Sequence, residues 1–250
     1  MIQVLERAFS VLDYLSADPD RLAGLSEIAQ ACGIQKTTLA NILNTLESAG
    51  YVVRPQKRKG YRLGYKYYMQ AGPAYVYEKW KDLSAEEVKK IYDIFEETVV
   101  LATEYGGQRR VLNLMECHEG ITARIPHSAD IYQSATGRII LAYYPEHKIR
   151  EIVSRVGLPS HESWEGIDSV DALLEGLAEI REKGISTTIF REHMLGVGVP
   201  VLVGGWPIAS IGMCLPRFRC SESRLGIIHE VLDECAASIA EKVKSAYYSG

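Results

Sequence analysis

LSEIAQACGIQKTTLANILNTLESAGYVVRPQKRKGYRLG, residues 25–64, is the stretch of this 250-residue chain that decides its fold class. Ser26 stands where a hydroxyl would cap a short helix running to Cys32. Gly33 supplies the left-handed residue expected just past that helix. In the next run Leu39, Ile42, Leu43 and Leu46 fall at i, i+3, i+4 and i+7, which makes one buried face of a second helix. The opposite face carries Thr37, Asn41, Asn44 and Ser48, with Lys36, Thr38, Ala40 and Thr45 on its flanks. After Gly50, residues 51–54 and 60–63 read as two strands around a basic turn. Two helices about a glycine turn, then a ribbon with a cationic tip, form the pattern of a winged helix-turn-helix.

The charge distribution agrees. Arg54, Lys57, Arg58, Lys59 and Arg62 fall within nine positions, with no acid among them. Residues 1–72 hold nine Lys/Arg against six Asp/Glu, so a chain of net charge −4 is +3 here and −7 elsewhere. A basic patch on a small domain is the electrostatic footprint of polyanion binding. Alone, such a run is an ordinary solvated turn; attached to a helix-turn-helix it gains meaning. The length suffices for two domains, and 47% hydrophobic with 24% charged residues is ordinary globular composition. The chain lacks an apolar run of the roughly 18 residues a membrane span needs. Its first residues lack the basic and apolar regions of a signal peptide. The five cysteines are odd in number and show no C-x-x-C spacing. Reduced thiols in a cytoplasm are the expectation.

The periodicity organises the remainder. Val4, Leu5, Ala8, Val11, Leu12 and Leu15 form an amphipathic stripe on an opening helix that Asp18-Pro19-Asp20 ends. The aromatic-rich run 65–73 is expected to pack the wing against a linker helix. Ser84 and Glu87 have capping-box spacing, which predicts a helix from Ser84 to about Thr98 that buries Val88, Ile91, Ile94 and Phe95. Strands are expected over 99–104, 111–117 and 123–125, then a helix entered through Ser134-Ala135-Thr136-Gly137. Helices over 147–156 and 170–183, strands over 198–203 and 208–215, and a long helix over 221–247 complete the pattern. The result is an α+β chain with a small antiparallel sheet.

In its order of motifs the chain resembles the isocitrate-lyase-regulator (IclR) family of bacterial transcription factors. The N-terminal residues that carry the resemblance are Ala8-x-x-Val11-Leu12, Leu25-Ser26-Glu27-Ile28-Ala29, Gly33-Ile34-x-Lys36-Thr37-Thr38, Leu43-x-x-Leu46-x-x-x-Gly50-Tyr51-Val52 and Tyr61-Arg62-Leu63-Gly64. In the C-terminal half they are Ser134-Ala135-Thr136-Gly137-Arg138-x-x-Leu141-Ala142, Gly184-Ile185-Ser186 and Gly196…Pro200-Val201. The resemblance implies a winged helix-turn-helix, a linker helix and a GAF-like effector-binding domain. It also implies homodimers, often paired into tetramers, on palindromic operators in double-stranded DNA. The corresponding segments are 1–72, a linker at 73–83, and 84–250.

The outward set for DNA is Gln35, Lys36, Thr37, Thr38, Asn41 and Asn44 on the second helix, with Arg54, Lys57, Arg58, Lys59 and Arg62 in the wing. Gln and Asn pair with adenine, Lys with guanine or phosphate, and Thr meets a thymine methyl. Wing cations suit phosphates, adding affinity more than sequence choice. Where the family usually carries Arg on the reading helix, this chain has Asn41. For the effector, the Ser134–Gly137 turn opens a helix whose free N–H groups and dipole favour an anion. The resemblance assigns carboxylate binding to the backbone of Ala135 and Thr136. It adds His118, Ile121, Ala129, Thr188 and Val199 as pocket positions. A small organic acid, aromatic ones included, is the expected ligand.

No cofactor motif is present: a G-x-S-x-G elbow and a P-loop are both missing, and Gly196-Val197-Gly198 is too short for a phosphate loop. Cys117, His118, His127, His193, Cys214 and Cys220 lack metal-ligand spacing, so no metal is expected. The rival to a ligand-responsive regulator is a metabolite-binding protein or enzyme that uses its N-terminal helices only to dimerise.

Overall fold

A computed structural model describes residues 2–18, 21–54, 60–64, 66–67, 73–118, 124–190 and 193–247, without the side chains of 73–78 and 247. The chain divides into two compact units, Met1–Lys79 with Lys242–Gly250, and Trp80–Glu241.

In the first unit, α1 (Gln3–Ser16), α2 (Leu25–Cys32) and α3 (Lys36–Ser48) precede a two-stranded antiparallel ribbon of β1 (Val52–Val53) and β2 (Arg62–Leu63). Ala23 bridges to Tyr61 and widens that ribbon. Val11, Leu15, Ile28, Leu39, Leu43, Val52 and Leu63 are buried and form the core. Gly33 adopts φ 64° and closes α2, as its αL role requires. Two details differ from the sequence pattern. Ser26 is exposed inside α2, and the helix start is instead tied by Glu27, whose Oε2 accepts from the Gly24 N–H at 3.2 Å. Val4 and Leu5 are about half exposed, because only the second half of α1 reaches the core.

The second unit holds a six-stranded antiparallel sheet in the order β5-β4-β3-β8-β7-β6. The strands are β3 (Thr98–Tyr105), β4 (Gln108–Met115), β5 (Ser128–Asp130), β6 (Ser186–Phe190), β7 (Met194–Val203) and β8 (Trp206–Pro216). Strands β7 and β8 form a hairpin through Gly204 and Gly205, whose φ values of 59° and 79° suit the two-residue turn. The third strand lies at Ser128–Asp130 rather than at 123–125; of that segment 124–125 carries no strand and 123 is outside the described residues. Strand β6 had no sequence signal, since STTIF is too short to alternate clearly.

Before the sheet runs α4 (Pro73–Phe95), one continuous helix. Pro73 opens it instead of interrupting it, because a first-turn residue has no N–H partner to lose. Ser84 is therefore not a cap. It is fully buried mid-helix, donates to the Lys81 carbonyl, and accepts from Asn113 Nδ2 at 3.0 Å, which pins α4 to β4. Ile94 is half exposed, while Val88, Ile91 and Phe95 are buried. The long α8 (Glu222–Tyr247) meets α4 through Ser238 on Glu87 at 2.6 Å and Lys90 on Glu234 at 3.1 Å. A separate apolar cluster binds α5 (Ala135–Ala142), α6 (Glu146–Val156) and α7 (Val170–Lys183) through Ile140, Leu141, Ile149, Ile152, Leu173 and Leu177.

Candidate DNA-reading surface and effector cavity

The reading helix is set by apolar contacts on one side only. With Leu39, Ile42 and Leu43 buried, α3 exposes Lys36, Thr37, Asn41 and Asn44; Gln35 precedes its first turn, exposed, and Thr38 is half-buried. Thr45 and Ser48 turn their hydroxyls back onto the carbonyls of Asn41 and Thr45. The side chains offered outward are thus those nearer the helix start. In the ribbon, exposed Arg54 lies over the Tyr61 ring at 5.6 Å. Arg62 is half-buried, and its Nε and Nη2 meet no acceptor among the described residues. Lys57, Arg58 and Lys59 lie outside the described residues. Behind this surface, Glu27 joins α2 to α1 by accepting from the Tyr14 hydroxyl at 2.6 Å and from Arg21 at 2.5 Å. The Tyr14 hydrogen bond, helped by the Gly24 N–H, holds the Glu27 carboxyl below its usual range.

The second site is a cavity of about 420 Å³ between the sheet and the start of α5. Its position follows from three glycines. A Cβ on Gly198 would lie 3.1 Å from both the Ala135 carbonyl carbon and the Thr136 nitrogen. One on Gly212, paired with Gly198 across the ladder, would meet Thr136 Cγ2 at 2.8 Å and the Val197 oxygen at 2.2 Å. One on Gly137 would strike the Ile131 oxygen. The first turn of α5 therefore rests directly on backbone, and Ser210 fastens it by donating to the Thr136 carbonyl at 2.9 Å.

At that turn Ser134 accepts from the Gly137 N–H at 3.1 Å, leaving the N–H groups of Ala135 and Thr136 without an acceptor among the described residues. Both residues line the cavity, with Ser134, Ala129 and Thr188. The Thr188 hydroxyl is buried and unpartnered among the described residues. Val100, Ile125, Phe190, Val197 and Met213 supply apolar wall. Of the other positions expected here, Gly137 spends its N–H on Ser134, Val199 is buried away from the cavity wall, and His118 is exposed beyond β4. Ile121 lies outside the described residues.

Three arginines bear on this site without a local sequence signal for it: Arg138 beside the cavity, Arg109 on its wall and the exposed Arg124, also on its wall. Arg138 braces the segment at 160–164 over the cavity: Nε donates to the Tyr132 carbonyl at 2.7 Å and Nη2 to the Ser163 carbonyl at 2.6 Å. Its guanidinium also stacks on Trp164 at 4.1 Å. Burial lowers its pKa to about 10, with Asp130 acting in the opposite sense. The second is Arg109, 3% exposed and on the cavity wall. Among the described residues no cluster of three His, Cys, Asp or Glu side chains could hold a metal ion. No disulfide joins any two of the five cysteines.

Known proteins match both units. Residues 4–56 match the IclR helix-turn-helix domain, and residues 83–241 match the C-terminal domain of bacterial transcriptional regulator IclR. The chain is 24% identical over 243 residues to the HTH-type transcriptional regulator KdgR of Escherichia coli, covering 95% of this chain and 91% of that protein. The Thermotoga maritima IclR structure is 24% identical with a TM-score of 0.58, over 97% of this chain and 99% of that one. An IclR homologue from Microbacterium hydrocarbonoxydans, complexed with 4-hydroxybenzoate, is 19% identical with a TM-score of 0.59 over the same shares. The chain belongs to the IclR family: a transcriptional regulator with an N-terminal helix-turn-helix and a C-terminal effector-binding domain.

Proposed function

We propose that this regulator reads a palindromic operator in double-stranded DNA with paired copies of α3 and the wing, and that a small carboxylate in the C-terminal cavity sets how tightly it holds. The observation that carries the effector reading is the open start of α5. Two N–H groups without protein acceptors among the described residues, at the positive end of a helix dipole, border a cavity with both apolar and polar wall. That geometry suits an apolar body with a carboxylate head, seated on Ala135 and Thr136 beside Ser134, Ala129 and Thr188.

On DNA, Asn41, Asn44 and Gln35 are assigned to adenine edges, Lys36 to guanine or phosphate, and Thr37 and Thr38 to thymine methyls. Arg54, Lys57, Arg58, Lys59 and Arg62 are assigned to phosphates. One such head offers few base contacts, so specificity depends on a second copy at half-site spacing. A homodimer, or a dimer of dimers, is supported by α1 and the residue before it: Ile2, Val4, Leu5 and Phe9 are 65%, 54%, 49% and 61% exposed, an apolar cost to a lone copy. Effector binding then biases the population of assemblies whose two heads have the operator's spacing.

The test is a gel shift on the promoter upstream of the protein's own gene, across salt concentrations, with and without candidate acids. Sequence-specific binding that an acid changes is expected; its absence at low salt overturns the regulatory mechanism. Within that assay Asn41→Ala loses about 1–3 kcal/mol at one base step. Equal loss on specific and random DNA would remove direct readout by Asn41.

A further inference from the structure

Arg109 is a buried charge that lacks a full set of acceptors among the described residues. It lies in β4, and its Nε and Nη1 meet no acceptor among the described residues. Its cross-strand neighbour is Glu104, the obvious counter-ion. Glu104 instead accepts from the Gly107 N–H at 2.7 Å and from the Tyr144 hydroxyl at 3.3 Å. Asp130, on the strand to the other side, accepts from the Tyr132 N–H at 2.8 Å and from the Ser163 hydroxyl at 3.0 Å. Both acids are thus committed to other donors, and Glu162, the one acid among the described lining residues of the cavity, is exposed to solvent. Burial lowers the Arg109 pKa to about 10, so the side chain remains a cation at neutral pH.

A desolvated guanidinium without an acceptor is strongly unfavourable in an interior. It becomes favourable when an anion enters the same cavity, because its planar fork matches a carboxylate in two parallel hydrogen bonds. We propose that Arg109 is the counter-cation for the effector's anionic group, and that it makes the cavity select small carboxylates over their neutral analogues. The proposal rests on the cavity being the effector site. It adds a buried side-chain charge to a site whose other anion contacts are backbone N–H groups and the exposed, solvent-screened Arg124, and that buried charge is what discriminates an acid from its amide. Hydrogen-bond donors alone bind a neutral carbonyl oxygen nearly as well as a carboxylate, whereas a buried cation adds a charge–charge attraction that only the carboxylate returns.

The experiment uses the full chain and its Arg109→Met, Arg109→Lys and Ala135→Pro variants. Sodium benzoate, 4-hydroxybenzoate, pyruvate and succinate are each compared with the corresponding amide, by thermal shift and calorimetric titration. At least one acid is expected to stabilise the wild type while its amide does not. Arg109→Met is expected to weaken that acid by about 10- to 100-fold, with Arg109→Lys between. Without ligand, Arg109→Met is expected to melt no lower than the wild type, because it removes a buried charge that lacks a full set of acceptors among the described residues; a lower melting temperature would indicate a structural role and overturn the proposal. Equal acid binding by Arg109→Met, equal binding of amides, or no response of the wild type to any of the four acids would also overturn it. Ala135→Pro separates the two levels, since Pro is tolerated at a first helical position but lacks the N–H. An acid response lost in Ala135→Pro and kept in Arg109→Met removes Arg109 alone. A response kept in both removes the cavity as the effector site.

Discussion

Replacing Gly198 with Ala probes whether the start of α5 is held by backbone contact with the sheet. The added Cβ would stand 3.1 Å from the Ala135 carbonyl carbon, 3.1 Å from the Thr136 nitrogen and 3.2 Å from the Thr136 Cα. All three are backbone atoms, so no side-chain rotation relieves them, and Ser210 ties the same turn down from β8. The helix start must lift by a few tenths of an ångström. Overpacking of this kind costs about 1–3 kcal/mol. Against that, Gly198 carries no positive φ, so Ala gains about 0.4–1 kcal/mol by restricting the unfolded chain. The net is a loss. Gly196→Ala is the internal control: its Cβ would meet Thr188 Oγ1 at 2.8 Å, a side-chain atom, and ordinary contacts at 3.6 Å and beyond. Turning Thr188 costs about 0.5–1.5 kcal/mol, which the same entropic gain largely offsets. Thermal denaturation of the full chain compares the two, at about 2–4 °C per kcal/mol for a unit of this size. Gly198→Ala should melt below Gly196→Ala and respond less to any acid that moves the wild-type operator complex. A Gly198→Ala protein at least as stable as Gly196→Ala would refute the close docking of α5 on β7.

The wing predicts a salt effect. Changing Lys57, Arg58 and Lys59 together to Ala should lower the slope of log K against log salt by about 0.9 for each phosphate left without its cation. Base preference should be little changed; altered sequence preference with an unaltered slope would contradict phosphate anchoring. The Tyr14–Glu27 contact predicts acid sensitivity in the first unit. Because the folded Glu27 pKa lies below the ordinary value of 4.5, its stabilisation is present above about that pH and is lost as pH falls through the folded pKa. Tyr14→Phe removes the largest cause of that shift. Chemical denaturation from about pH 6 down to about pH 3, followed by helix signal, should show a shallower decline for Tyr14→Phe than for the wild type; identical profiles would exclude this linkage.

Local sequence rules reached the first unit almost complete, because a helix-turn-helix is made of local signals. Apolar spacing on α3 and the αL glycine at position 33 act within a few residues, and both hold in the folded chain except at Leu46, which is only half-buried. The misreadings have a common physical origin. Ser84 and Glu87 spell a capping box, but the pattern cannot show that Asn113, 29 positions later, supplies a partner for a serine buried inside a longer helix. Val4 and Leu5 continue an apolar stripe, but periodicity cannot tell a core face from an overhanging end.

The candidate effector cavity divides along the same line. The Ser134–Gly137 turn was visible because a helix start is a local motif, whereas Arg109 was not, standing among ordinary charges in GGQRRVL. The alternation of β4 puts Arg109 and Arg110 on opposite faces of the sheet, so one of the pair must face inward, and composition alone cannot say what it meets there. Only the register shows that its natural partner, Glu104, is opposite it, and only the hydrogen bonds show that Glu104 is already engaged. Gly196, Gly198 and Gly212 follow the same logic. As a sequence, Gly196-Val197-Gly198 is too short for a phosphate loop, and Gly198 and Gly212 merely fall within the strands expected over 198–203 and 208–215. In three dimensions two of them are the floor against which α5 is pressed, so that its N–H groups face the cavity instead of solvent. A site built from a helix start, a glycine floor and a displaced counter-ion has one part legible in local sequence, and the other two exist only once the strands have paired.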